Sequence, residues 1–158
     1  MTGGPGGPPT PLALAPDLPD RLRKRLEASP ALAGLRPCLE ELGADYCVLK
    51  LPYREELSNG SGTVHGGVLA TLADTAVAFA LSTNFDGKMG FATADLTIHF
   101  LRRARGDVWA RARIVKKGQR INVGEVKIVD AHGAEVARAL TSFILTTSTF
   151  DYAPERRT

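Results

Sequence analysis

The sequence predicts an α+β domain in which one curved antiparallel β-sheet wraps around one long α-helix. Two patterns carry this. Residues 65–82, HGGVLATLADTAVAFALS, contain no proline and a single carboxylate, with Val68, Leu69, Leu72, Ala73, Ala76, Val77, Ala80 and Leu81 at helical spacing. A helix this apolar must be buried on nearly every side, and a sheet folded around it does that. Downstream, four runs show strand-like patterning, two of them alternating every second residue as half-buried strands do.

The elements follow in order. Residues 1–16 are rich in glycine and proline and are expected to form a disordered or loosely attached tail. A single domain is expected over 17–150, with a C-terminal tail at 151–158. Asp17 or Asp20 is placed to cap a helix over 18–28, with Leu18, Leu22 and Leu26 on one face, and Ser29-Pro30 ends it. Residues 38–53 read as two short strands or a hairpin around Gly43, and 54–63 (REELSNGSGT) as a loop. After the long helix, 91–101 set Ala92, Ala94, Leu96, Ile98 and Phe100 on one face and Thr93, Asp95, Thr97 and His99 on the other. Residues 107–117 set Val108, Ala110, Ala112 and Ile114 against Trp109, Arg111 and Arg113. Residues 121–130 and 134–146 are two more strands joined by a turn at 130–133, with Gly124 marking a bulge. The connections are short, so sequential strands are expected to be antiparallel neighbours.

Composition narrows the function. The 158 residues are 44% hydrophobic and 23% charged, as in an ordinary globular domain. A net charge of +3 with 6% aromatic residues lacks the basic, aromatic-laced stripe of a nucleic-acid binder. Cys38 and Cys47 form no CxxC pair or Cys/His cluster, so both are expected to be reduced apolar fillers rather than zinc ligands. His99 on a polar strand face and His132 in a turn are read as bland, and no metal site is expected. The first 16 residues lack the basic start of a secretory signal, and no run of 18 consecutive apolar residues occurs. The expectation is a cytoplasmic protein without a membrane span.

The chemistry is concentrated around residue 74. A carboxylate in the middle of a buried helix is costly unless it is paired or functional. Taken alone, Asp74 is more often a hydrogen-bond partner of a neighbouring threonine or amide than a catalyst. Upstream lie Asn59, Gly62, His65, Gly66 and Gly67. A Gly-Gly pair at a helix start leaves unshielded backbone N–H groups at the positive end of the dipole, suited to an oxygen that gains negative charge. The plain alternative is a tight loop-to-helix turn. His65 and Asp74 stand nine residues apart, roughly 13–14 Å along a helix axis and half a turn around it. They cannot act on one carbonyl within one chain. An enzymatic reading therefore needs a second copy to bring its Asp74 to the first copy's helix start, and a two-fold dimer builds two such sites.

The run Asn59-x-x-Gly62-x-x-His65-Gly66-Gly67-x6-Asp74 resembles the active-site segment of hotdog-fold acyl-CoA thioesterases of the phenylacetate-degradation (PaaI-like) type. ATADLTIHFLRRARGD (92–107), VKKGQR (115–120) and DAHGAEVARALTSF (130–143) are similar too, so the resemblance spans roughly 38–146. It departs at Arg103, where the family often carries proline. The resemblance implies a hotdog fold, a homodimer paired edge to edge and often again into a tetramer, an acyl-CoA substrate, and no metal or redox cofactor. By position, Gly66 donates its N–H to the thioester oxygen and Gly67 adjoins the substrate. Asn59 orients the carbonyl or the water, and Asp74 of a partner is general base or nucleophile. Thr93 helps hold water near that acid, while His65 lies by the sulfur or supports the loop.

Thioester cleavage needs activated water, a stabilised oxyanion and a departing thiolate. A thiolate leaves readily, so one carboxylate and one backbone donor suffice. The phosphates of CoA suit Arg102, Arg103 and Arg105 after one strand and Lys116, Lys117, Gly118 and Arg120 at the next turn, two loops expected near the pocket mouth. An ordinary solvated basic surface is the competing account of each. Three other readings stand beside the thioesterase: a thioesterase of acyl-carrier protein, a non-catalytic acyl-CoA-binding or regulatory module, and a purely structural oligomer. A hotdog dehydratase lacks support, because no His-plus-Glu pair is present.

Overall fold

The computed structural model describes residues 13–149. Of the expected tails, 1–12 and 151–158 lie outside the described residues, while Leu14 and Ala15 pack against the core. Helix α1 (Leu18–Ala28) opens with a proline in its first turn and buries Leu18, Leu22 and Leu26, the face its leucine spacing predicts. Asp17 occupies the N-cap but makes no capping bond; its carboxylate reaches Arg21 instead, at 2.9 Å. Pro30–Leu32 forms a 3-10 turn that leads to the hairpin of β1 (Cys38–Gly43) and β2 (Tyr46–Leu51). Asp45, left-handed at φ 60°, closes that hairpin. The loop expected over 54–63 contains one further 3-10 turn at Glu55–Leu57.

Helix α2 (Gly66–Ser82) is the axis of the molecule. The segment Gly66–Phe85 is long and apolar enough, by length and composition, to cross a membrane. Here it is the core helix: Leu72, Ala73, Ala76, Val77, Ala80 and Leu81 have no exposed surface. It packs on β2, on β4 (Val108–Lys116) and on β5 (Ile121–Asp130), so its hydrophobicity is accounted for by the sheet folded around it. The remaining strands are β3 (Met89–Phe100) and β6 (Glu135–Thr149).

The sheet is antiparallel throughout, in the order β1-β2-β4-β5-β6-β3. This corrects the expectation that short connections make neighbours. β3 pairs with β6 at the edge, and the loop from β3 crosses the end of the sheet to enter its middle at β4. Seven extended residues span up to about 24 Å, enough for that crossing. The crossing loop is anchored as it passes: Leu101 and Arg102 N–H donate to the Val136 carbonyl, and the buried Ala104 accepts from Val64 N–H at 2.9 Å.

Three smaller expectations are refined. Gly124 marks a bulge as expected, but the extra residue lies opposite it on β4, between Ile114 and Lys116. The reason for glycine is close approach, since a Cβ there would lie 2.3 Å from Val77 Cγ1 on α2. Cys38 is exposed rather than a filler, whereas Cys47 is buried and burial pushes its thiol far above the usual range. In β3 the register slips between Thr93 and Asp95, leaving Ala94 unpaired as a bulge. Thr93 then faces Phe143, and Leu96 faces Thr141, both inward positions of β6. The face assigned to Ala92 and Ala94 is thus the outer one, and Thr93 points to the helix.

Candidate active site

The structure places the candidate residues in two clefts. The first lies at the start of α2, holds about 450 Å³, and is lined by Asn59, Thr63, Gly66, Phe100, Arg102 and Arg103, among others. His65 is the N-cap of the helix, and its Nδ1 accepts from Gly67 N–H at 2.9 Å. The sequence led us to expect both glycine amides to be free; one is capped by the histidine. Among the described residues, the Gly66 N–H donates to no protein acceptor. A Cβ at Gly66 would stand 3.1 Å from the Phe100 ring, so glycine lets the ring pack against the start of the helix. Asn59 Oδ1 accepts from the Ser61 backbone (3.2 Å) and hydroxyl (2.7 Å), which leaves its NH2 for a carbonyl.

The second cleft holds about 330 Å³ and contains Asp74 and Thr93, walled by Phe79, Phe91 and Phe143. The Thr93 hydroxyl bridges the two carboxylate oxygens of Asp74, at 3.0 and 3.1 Å. Burial raises the pKa of Asp74 above the ordinary carboxylate value, and hydrogen bonds from Thr93 and then Thr141 pull it back. Thr141 acts more weakly, since its proton is directed to the Asp95 carbonyl at 2.8 Å. The group is thus a carboxylate of raised basicity held in a defined orientation. Its main chain lies eight residues beyond Gly66, or roughly 12 Å along the axis.

The two basic segments do not share a cleft within one chain. Arg102 and Arg103 line the first, where Arg102 also donates to the Glu135 carbonyl at 2.8 Å. Lys117, Gly118 and Arg120 sit at the other end of the sheet. Lys117 pairs with Asp45 (2.7 Å) and Asn84 beyond the C-terminus of α2, and Gly118 N–H donates to Asn122. The reason is that β4 runs the length of the sheet between them. Sequence reasoning missed Phe100 packed against Gly66, the aromatic wall, and Thr141 beneath Asp74. The inward alternation of β6 was the available signal for Phe143 and Thr141. Among the described residues no three His, Cys, Asp or Glu side chains converge as a metal-ligand set.

A long buried helix inside a curved six-stranded antiparallel sheet is the hotdog architecture. The Thioesterase superfamily profile matches residues 61–137. A candidate esterase of Halobacterium salinarum is 41% identical over 106 residues, 60% of this chain and 70% of that protein. The acyl-coenzyme A thioesterase PaaI of Escherichia coli is 34% identical over 109 residues, 63% of this chain and 76% of that one. The solved structure of the E. coli PaaI protein superposes with a TM-score of 0.77 at 22% identity, covering 87% of this chain and 99% of the other, which shows the shared fold. The chain belongs to the thioesterase superfamily, as a PaaI-like hotdog thioester hydrolase.

Proposed function

We propose that this protein hydrolyses acyl-CoA thioesters to free acid and CoA, in active sites that each join the Gly66 amide of one copy to the partner's Asp74. The observation that carries the reading is the half-buried Asp74 carboxylate, oriented by Thr93 in a cleft walled by three phenylalanines. The PaaI relative, named as an acyl-coenzyme A thioesterase, supports the substrate class. The oligomer is supported by the separation of donor and acid into two clefts, and by β3, which ends the sheet with one side unpaired. Pairing of two β3 edges gives a dimer, and two dimers form the tetramer.

In the proposed reaction the thioester oxygen accepts from Gly66 N–H at the positive end of α2, and the Asn59 NH2 orients the carbonyl. His65 supports this loop through its bond to Gly67. Asp74 takes a proton from water as the water oxygen bonds to the carbonyl carbon. The C–S bond then breaks, the sulfur leaves with its electron pair, and the proton on Asp74 passes to the thiolate or solvent. Alternatively the carboxylate itself attacks, displacing thiolate to form an anhydride that water then opens. Label found in Asp74 after a single turnover in ¹⁸O-water would identify the second route, because it enters there only when the carboxylate attacks and water then opens the anhydride at the Asp74 carbon. Arg102 and Arg103 hold CoA phosphate. The pairing that brings the partner's Asp74 to Gly66 carries the partner's Gly118 and Arg120 towards the same mouth.

Subunit mixing tests the shared site. Asp74→Asn and Gly66→Pro chains should each be inactive, and a mixed dimer restores one of its two sites. Random exchange should therefore return about a quarter of the native rate. Two inactive variants that form mixed dimers without regaining activity would refute the shared site.

A further inference from the structure

We infer that the turn Ser29–Leu32, between α1 and β1, is the gate that limits acyl length in the Asp74 cleft. This rests on the hydrolase reading above. With the reacting carbonyl at Asp74, one of its two substituents must enter this cleft. Phe91 and Phe143 stand edge to face there, with centroids 5.4 Å apart and planes at 84°, a fixed apolar wall. Arg25, Ser29 and Thr75 also line this cleft, but its three phenylalanines give an acyl chain the apolar surface it needs, and the arginines of the first cleft suit the phosphates of CoA. The acyl group is therefore the part that goes in.

Ser29, Ala31 and Leu32 line one side of the same cleft. The turn is firm. Leu32 N–H donates to the Ser29 carbonyl at 3.0 Å, the Leu32 carbonyl accepts from both Leu35 and Arg36 at 2.9 Å, and the Leu32 side chain is buried in the core. An acyl chain long enough to reach it stops there. The turn also lies upstream of residues 61–137, the part of the chain that matches the superfamily profile. Chain length is thus set by a segment separate from the one that carries Asp74 and Gly66.

The test compares kcat/KM across a saturated acyl-CoA series, from acetyl to palmitoyl, for the native chain, Leu32→Ala and Ala31→Trp. One methylene group in an apolar pocket changes kcat/KM by about 10–200-fold. Leu32→Ala should extend the accepted length and raise the long-to-short ratio by about tenfold or more. Ala31→Trp, at an exposed position on the rim, should shorten it. Should Leu32→Ala not fold, Ala31→Trp decides alone: a shortened profile supports the gate and an unmoved one overturns it. Superimposable profiles in active variants overturn the gate while leaving the hydrolase reading intact. A native chain that cleaves no acyl-CoA of any length overturns that reading, and the gate with it.

Discussion

Replacing Thr93 by valine removes the hydroxyl that bridges both oxygens of Asp74 while keeping side-chain shape. A hydrogen bond to a charged group is worth about 1.5–3 kcal/mol. Thr93 is exposed and the cleft is open, so water replaces part of the lost bond and the lower end applies. About 1.5 kcal/mol corresponds to roughly one pH unit. The sign follows from the charge. The Thr93 bond favours the carboxylate, so its loss raises the Asp74 pKa further above the ordinary value. The active carboxylate then appears only at higher pH. The acid limb of kcat/KM against pH should move up by about one unit, with the rate on the alkaline plateau largely retained. Loss of the thioester ultraviolet absorbance follows turnover across that range. An active Thr93→Val enzyme whose acid limb stays in place, or moves down, would refute the assignment of Asp74 as the titrating base.

Asp74→Asn should lower kcat by about 10²–10⁴-fold, measured by thiol release. It should not destabilise the fold at neutral pH. Burial raises the folded-state pKa, so the native chain is favoured below the unfolded value and loses that contribution as pH rises through the folded one. Thermal melting should find Asp74→Asn at least as stable as native at neutral pH, an advantage that disappears in acid. Gly124→Ala forces a Cβ to 2.3 Å from Val77 and should cost about 1–3 kcal/mol, lowering Tm by several degrees; an unchanged Tm would show that α2 can move away. Arg102→Ala with Arg103→Ala should raise KM for acyl-CoA more than it lowers kcat, and a large fall in kcat at constant KM would count against phosphate binding.

What could be read from the sequence was what depends on local spacing. The i, i+4 leucines of α1, the helically spaced apolar residues of α2 and the alternation of β4 belong to single segments, and each formed the element predicted. The separation of Gly66 from Asp74 was readable for the same reason, since helical rise converts residue number into distance. Tertiary structure decided what depends on other segments. It routed β3 to the sheet edge beside β6, which a seven-residue loop permits but does not demand. It parted Arg102 from Lys117 by the length of β4, and it capped Gly67 with His65. Most consequentially, it left Ala94 unpaired. In a strand, faces alternate with every residue, so one unpaired residue exchanges inside for outside. The pattern from 91 to 101 set Thr93 on the face away from Leu96 and Ile98. Pairing with β6 turned it inward, and there its hydroxyl meets Asp74.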